Sequence, residues 1–257
     1  MNMGKVLYYT LVDLARNRSV VAFAALVLAV SEGLFLVEAD PVKALLSLVQ
    51  VMLALVPLVS LILTVVYTYD THEFTQLLAV QPIGRRAILG GRMGAMALAL
   101  LVALLFGLGL PLTVHAPGTT SLVLLVAVVL LAWVHTALGT LIALLHRDKA
   151  RGVGIALATW AGFVLVYDAL LMALLFAFSD RPIEPLVLPI AALNPIDLAR
   201  IAIMIRVDLA AMMGYSGAVY QHMLGSAPGI AVALTLMFAW IAWPTLAAFR
   251  VFRRKDL

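Results

Sequence analysis

Long apolar runs separated by short polar segments make up most of the chain. Six of these runs are long enough to cross a lipid bilayer as helices, because about 20 apolar residues span its hydrocarbon core. They cover residues 19–37, 44–68, 92–114, 121–145, 152–178 and 229–249. The pattern predicts an all-α polytopic membrane protein with six transmembrane helices.

The segments between the runs are polar or rich in turn-forming residues, and three segments outside the runs call for separate interpretation. We expect residues 1–18 to form an amphipathic interfacial helix, residues 69–91 a loop with a short amphipathic helix, and residues 179–228 an outer segment. The alternative for residues 1–18 is a simple extension of the first span. Little is left for a soluble domain, so residues 1–257 are predicted to form one membrane domain.

Composition agrees with this pattern, and charge adds an orientation. Hydrophobic residues make up 65% of the chain and charged residues 12%, whereas a soluble domain carries about 25% charge. Of the 17 basic residues, 13 fall on the side of the spans that holds both termini. Because Lys and Arg accumulate in cytoplasmic loops, both termini are predicted to be cytoplasmic. The chain has no cysteine, which excludes disulfides and thiolate chemistry.

The loop at residues 69–91 is the most informative polar segment. Acidic residues open it, an amphipathic stretch follows, and a Pro/Gly turn with two arginines closes it. We expect a short helix whose apolar patch binds a cytoplasmic partner, because contiguous exposed apolar side chains usually mark a contact. A solvated loop is the alternative. The residues expected to take part are Glu73, Phe74, Gln76, Leu77, Leu78, Arg85 and Arg86.

Apart from Arg92, which opens the third span, three acidic or histidine residues lie inside the predicted spans. A charge is energetically unfavourable there, so such residues are candidates for a functional role. Glu32 falls late in the first span, His135 in the middle of the fourth and Asp168 in the middle of the fifth. Asp168 has no opposite charge in its own apolar run, so we expect a hydrogen bond to a neighbouring helix or a second subunit, with His135 as the candidate partner. A role in binding substrate or moving protons is the alternative.

The outer segment is too long for a simple connector. Asn194 is a good helix cap and Pro195 suits a first helical turn, which predicts a helix over residues 195–213 on the outer membrane surface or against a partner. Its methionines would ordinarily pack, but thioether and imidazole groups are also the ligands that soft Cu(I) prefers. The candidate copper or partner contacts are Met204, Met212, Met213, His222 and Met223.

The 69–91 loop and the start of the third span also carry a family pattern. An acidic residue, a threonine, two leucines, a proline, an apolar-small pair and an arginine precede a basic residue that opens the span. In this chain they are Glu73, Thr75, Leu77, Leu78, Pro82, Ile83, Gly84, Arg85 and Arg92. With the six-span layout, this pattern resembles the ABC-2 type of ABC transporter permease.

No G-x-x-x-x-G-K-[ST] loop occurs in the chain. The family resemblance therefore implies that ATP and Mg²⁺ bind to a separate cytoplasmic ATPase, expected in two copies, beside a second copy of this permease. We expect no catalytic residue in the chain itself and no cofactor bound by it alone. Membrane lipid is an expected partner and nucleic acid is not.

Residues 194–200 and 212–219 carry a narrower resemblance, to the permeases of transporters that support copper-site assembly of periplasmic nitrous oxide reductase. It implies a bacterial inner-membrane protein, a periplasmic β-helical copper-handling partner, and Cu(I) shared with that partner. The function expected is coupling of ATP hydrolysis to transport or conformational signalling across the membrane. An ABC-2 exporter of a lipid or hydrophobic small molecule is the alternative.

Two short motifs would favour proteolysis instead. His72-Glu73-Phe74-Thr75-Gln76 is close to the zinc motif H-E-x-x-H, but Gln76 replaces the second histidine. Gly214-Tyr215-Ser216-Gly217 matches the G-x-S-G of rhomboid serine proteases, but the last span holds no histidine to act as base. A protease and a purely structural membrane anchor stay open as other classes.

Overall fold

A computed structural model describes residues 3–177, 189–205 and 227–254. In these ranges all regular secondary structure is helical, and six helical stretches are long and apolar enough to span a membrane. These stretches are Arg18–Val37, Pro41–Asp70, Arg85–His115, Thr119–Leu145, Lys149–Ala173 and Gly229–Arg254. The predicted all-α, six-span fold is confirmed.

Helices follow one another with short connections. They are α1 (Met3–Arg16), α2 (Arg18–Val37), α3 (Pro41–Asp70), α4 (His72–Val80), α5 (Arg85–Leu104), α6 (Leu110–His115), α7 (Thr119–Leu145), α8 (Lys149–Ala161), α9 (Tyr167–Ala177), α10 (Pro195–Met204) and α11 (Ala227–Arg254). One π-helical turn joins α5 to α6 and a second joins α8 to α9. Below, the α4 end is the end of the bundle that holds α4, and the far end is the opposite one.

Side-chain caps explain where several helices begin. Asn17 has extended backbone, and its side-chain oxygen accepts a hydrogen bond from the Ser19 backbone N–H at 2.9 Å, which starts α2. Asp40 caps α3 and Asp148 caps α8 in the same way. Because Asn17 interrupts the helical path, α1 is a separate helix and not an extension of the first span.

α1 packs along the first half of α5, on a face made of glycines. A Cβ atom on Gly91 would lie 2.9 Å from the Val6 Cβ, and one on Gly94 would lie 3.3 Å from a Leu7 methyl. Glycine allows this close approach because it has no side chain. The glycines at the start of the third span therefore make room for α1.

α10 is buried at the far end, which corrects the expectation that it lies on the outer membrane surface. It packs against α7 and α11 and also touches α3, and most of its residues are buried. The predicted cap is present: Asn194 accepts from the Ile196 N–H at 2.9 Å, and its side-chain amide donates to the Phe163 carbonyl in the second π-helical turn. An apolar helix face alone could not distinguish a membrane surface from the interior of a bundle.

Candidate functional site

α4 is amphipathic, and its outward side carries three large apolar side chains. Phe74, Leu77 and Val80 are 50%, 67% and 89% exposed, and Glu73 and Gln76 beside them are also exposed. Glu73 lies in the first turn of α4, where a negative charge is favoured by the helix dipole. We call these five residues the α4 face.

Leu78 lies on the opposite side of α4 and is 5% exposed, which corrects the expectation that it shares the exposed patch. Successive residues on a helix are rotated by about 100°, so neighbours 77 and 78 need not face the same way, and Val80 takes the exposed position instead. Leu78 packs in a buried cluster that joins α4 to α1, α5, α7 and α11. The other members are Val6, Ile83, Ile88, Leu89, Leu141, Leu144, Ala248 and Phe252.

Arg92, from α5, lies directly behind α4. Its two terminal nitrogens donate hydrogen bonds to the hydroxyl oxygens of Thr71 and Thr75. Thr75 is buried, on the inner side of α4, and Thr71 joins α3 to α4. The structure thus brings together two residues of the family pattern, Thr75 and Arg92, that are 17 positions apart.

Tyr67 and Asp13 extend this group, and sequence reasoning gave neither a role in it. The Arg92 guanidinium carbon lies 5.8 Å from the centre of the Tyr67 ring, within the range of a cation–π contact. The Tyr67 hydroxyl donates to the Asp13 carboxylate on α1 at 2.9 Å. An arginine next to a long apolar run was the available signal, since such a charge needs polar partners.

Basic side chains surround the α4 end. Arg86 is exposed, and Arg85 donates to the Arg253 carbonyl at 3.0 Å, which ties the start of α5 to the last turn of α11. Lys149 pairs with Asp70 at 2.5 Å on the exposed surface. The rim next to the α4 face is therefore cationic.

Glu32 pairs with a histidine at the far end. The Glu32 carboxylate lies 2.9 Å from His115 Nε2, and Phe35 stacks on the His115 ring with centroids 5.0 Å apart. Both side chains are partly exposed. This contact joins the last turns of α2 and α6, which fits a structural role.

His135 and Asp168 do not form the expected hydrogen bond. His135 is completely buried, and its Nδ1 hydrogen-bonds the Leu131 carbonyl at 2.8 Å within α7. Asp168 instead faces Arg200 of α10, with 3.4 Å between the charged groups. The apolar run around Asp168 could not reveal this partner, because Arg200 comes from another element.

Arg200 also pairs with Asp197, one turn earlier on α10, so a cation lies between two carboxylates at the far end. Asp197 is 6% exposed in its side chain. Burial raises the pKa of Asp197 from 3.8 to about 6 against the opposing attraction of Arg200, and the nearby Asp168 adds to the rise. Asp197 is thus the charged group of α10 that responds to mildly acidic pH.

The proposed copper contacts fall mainly outside the described residues. Met204, at the end of α10, is partly buried. Met212, Met213, His222 and Met223 lie outside the described ranges, as does the G-x-S-G stretch. Within the described ranges, no three His, Asp or Glu side chains come together as a metal site would need. His72, Glu73 and Gln76 are exposed on α4.

Comparison with known proteins agrees with this arrangement. Residues 74–257 match the family model described as ABC-2 family transporter protein. The chain is 31% identical over 224 residues, 81% of its own length and 79% of the relative's, to the probable ABC transporter permease protein NosY of Stutzerimonas stutzeri. It is also 31% identical over 225 residues to the NosY of Pseudomonas aeruginosa, covering 82% of this chain and 80% of that one.

The family match covers the α4 face except Glu73, the four spans from the third onward and α10, and the similarity to the two NosY proteins extends over most of the chain. Permeases of this family have no nucleotide-binding domain of their own and work with an ATPase partner. The protein is therefore a multi-pass membrane protein that belongs to the ABC-2 family of transporter permeases.

Proposed function

We propose that this permease binds its ATPase through the α4 face. The conformational change that ATP hydrolysis drives in the ATPase is then transmitted across the inner membrane to support copper-site assembly of nitrous oxide reductase. The observation that carries the proposal is the α4 face itself. Its apolar side chains are exposed on a helix that is anchored from behind by Leu78 and Thr75. Exposed apolar patches of this kind usually mark a contact with another protein.

The orientation proposed is that the α4 end, with both chain termini, faces the cytoplasm. The basic side chains at this end support it, because Lys and Arg favour cytoplasmic loops. Arg85, Arg86 and Lys149 all lie near α4. Their positive rim would suit an ATPase surface with acidic residues around an apolar groove.

The copper role is supported by the similarity to the two NosY permeases and by the methionine and histidine residues of the outer segment. In this proposal a second copy of the permease and two ATPase subunits complete the transporter. A periplasmic β-helical protein receives the conformational signal, or Cu(I), at the far end. The apolar side chains exposed along α9, among them Leu170 and Phe176, offer a surface for the second copy or for lipid.

Purification from the native membrane in mild detergent, followed by mass spectrometry of the proteins that co-elute, tests this function. An ATPase together with a periplasmic β-helical protein is the expected result. An ATPase alone would count against the copper role and favour an exporter of a lipid or hydrophobic small molecule. No ATPase at all would contradict the proposal and favour the protease interpretation.

The copper contact makes a separate prediction. Replacement of Met212, Met213 and Met223 by leucine keeps the side-chain volume roughly constant and removes the sulfur atoms. We expect copper loading of the periplasmic partner to fall while the permease stays folded. Met172→Leu, on the exposed side of α9, is the matched control and should leave loading unchanged. Loading that survives the triple replacement would rule out a methionine contact.

A further inference from the structure

α4 needs external support to keep its position. It has nine residues, and isolated helices shorter than about 12 residues are marginal in water. It follows α3 after Thr71 alone, so it could swing about this connection. A cavity also lies behind it, lined by His72, Thr75 and Arg92 among others, so close packing does not fill the space between α4 and the bundle.

We propose that Arg92 is a positioning residue that holds α4 to α1 and α5, so that a displacement of α4 by the ATPase moves all three helices together. The contacts form a chain from α4 to α1, through Thr75, Thr71, Arg92, Tyr67 and Asp13, which we call the α4 clamp. The inference rests on the proposed function, because it explains how force on the α4 face would reach the spans.

The hydroxyl groups fix the direction of the bonds in the clamp. Thr71 donates its hydroxyl proton to the Tyr67 carbonyl at 2.6 Å, and Thr75 donates its own to the Thr71 carbonyl at 2.8 Å. Each hydroxyl has only one proton, so both oxygens can face Arg92 only as acceptors. The planar guanidinium holds several N–H groups in a fixed fork, and its two terminal nitrogens reach both oxygens at once.

Arg92 has no carboxylate within 4.0 Å among the residues that the structure describes. Its charge faces the Tyr67 ring, and Asp13 lies behind that ring as acceptor for the Tyr67 hydroxyl. The guanidinium is therefore free of a tight ion pair and depends on the threonines for its orientation. A group held in this way positions α4 as well as stabilising it.

α1 has little freedom to move without α5. The close approach at Gly91, where a Cβ atom would lie 2.9 Å from Val6, places the two backbones in direct contact. The clamp adds α4 to this pair. Without the α4 clamp, α4 would stay attached through the Thr71 connection and the Leu78 cluster, but the angle between α4 and α1 would vary.

The test is a distance between α4 and α1, measured by pulsed electron paramagnetic resonance. The chain has no cysteine, so nitroxide labels on Gln81→Cys and Ala15→Cys, both at exposed positions, give one pair in each permease copy without background, and mixing with excess unlabelled permease leaves the pair within one copy as the distance measured. We expect one narrow distance for the permease alone. With the co-purified ATPase, it should stay single and narrow both without nucleotide and with ADP–vanadate.

Thr75→Val keeps the side-chain shape and removes the acceptor oxygen, so the narrow distance between α4 and α1 should broaden into a distribution. Thr75→Ser keeps the oxygen and should restore the narrow distance, which a purely steric role for Thr75 would not predict. Tyr67→Phe keeps the ring under Arg92 and removes only the bond to Asp13, so its effect should be smaller. These variants leave the α4 face intact and should bind the ATPase as the wild type does.

A narrow distance in Thr75→Val and in Arg92→Met would overturn the clamp. The measurement on the permease alone does not depend on the ATPase. Failure of the wild-type permease to bind any ATPase would therefore count against the proposed function, whereas an unchanged distance in the variants would count against the clamp.

Discussion

At the scale of single residues, a few polar side chains within the bundle donate hydrogen bonds to backbone carbonyls of other elements, whereas the buried hydroxyls of α3 and α7 bond within their own helices. Trp160 donates to the Ala54 carbonyl and Trp240 to the Ala192 carbonyl, at 3.0 and 2.9 Å. Asn194 serves two helices, because its oxygen caps α10 and its amide group reaches the second π-helical turn. These contacts join α8 to α3, α11 to the segment before α10, and the start of α10 to the second π-helical turn.

The pKa of Asp197 makes a prediction at this scale. Because burial raises it from 3.8 to about 6, the neutral form is the one that the fold favours. The contribution of protonated Asp197 to the free energy of unfolding is present in full below pH 3.8 and is lost as the pH rises through about 6. The difference between the pKa of 3.8 and the pKa of about 6 corresponds to roughly 3 kcal/mol, at 1.36 kcal/mol for each pKa unit.

Thermal unfolding of the detergent-solubilised protein measures this effect. The wild type should gain stability between pH 7 and pH 5 relative to Asp197→Asn, whose side chain cannot ionise. Arg200 and Asp168 face the same group and are unchanged in both proteins. Parallel pH profiles of the unfolding temperature for the two proteins would refute the raised pKa of Asp197.

At the scale of elements, hydrophobic periodicity predicted the spans well and their contacts poorly. The six apolar runs coincide with the six spans because bilayer thickness sets the length of each helix. The burial of α10 was missed, since Ile201 and Ala202 look alike in a sequence whether they face lipid or α7 and α11. The family pattern includes both Thr75 and Arg92 but cannot show that they touch, because their contact depends on how α4 folds back against α5.

Two glycines test the packing of these elements. Gly91→Ala on α5 should destabilise the protein, because the new Cβ atom would lie 2.9 Å from the Val6 Cβ and 3.1 Å from the Leu7 nitrogen. Gly154→Ala on α8 has open space around the new atom. It should stabilise by up to about 1 kcal/mol through helix propensity. Opposite shifts of the unfolding temperature are expected, and equal shifts would contradict the close contact between α1 and α5.

At the scale of the whole molecule, the two ends of the bundle carry different groups. The α4 end carries the exposed α4 face, the Leu78 cluster and a basic rim. The far end carries α10, held by Asn194 and by the Asp168, Arg200 and Asp197 charges. Long spans such as α7 contact elements at both ends, and could carry a change in one to the other.

Orientation can be measured directly, because the natural chain has no cysteine. Gln81→Cys lies at the exposed end of α4, and Ala39→Cys lies in the exposed connection between α2 and α3. A membrane-impermeant thiol reagent added to intact spheroplasts should label Ala39→Cys, and Gln81→Cys only after the membrane is opened. The reverse pattern would place the α4 end outside the cytoplasm.

The central claim is that the α4 face binds the ATPase, and co-purification of the ATPase with permease variants tests it most directly. Glu73→Arg combined with Leu77→Asp changes two exposed residues and should release the ATPase while the permease keeps its unfolding temperature. Leu78→Ala empties a core position and should lower that temperature, at a cost of about 2–5 kcal/mol, with the ATPase still bound at low temperature. An ATPase that stays bound to the Glu73→Arg, Leu77→Asp permease would contradict the account.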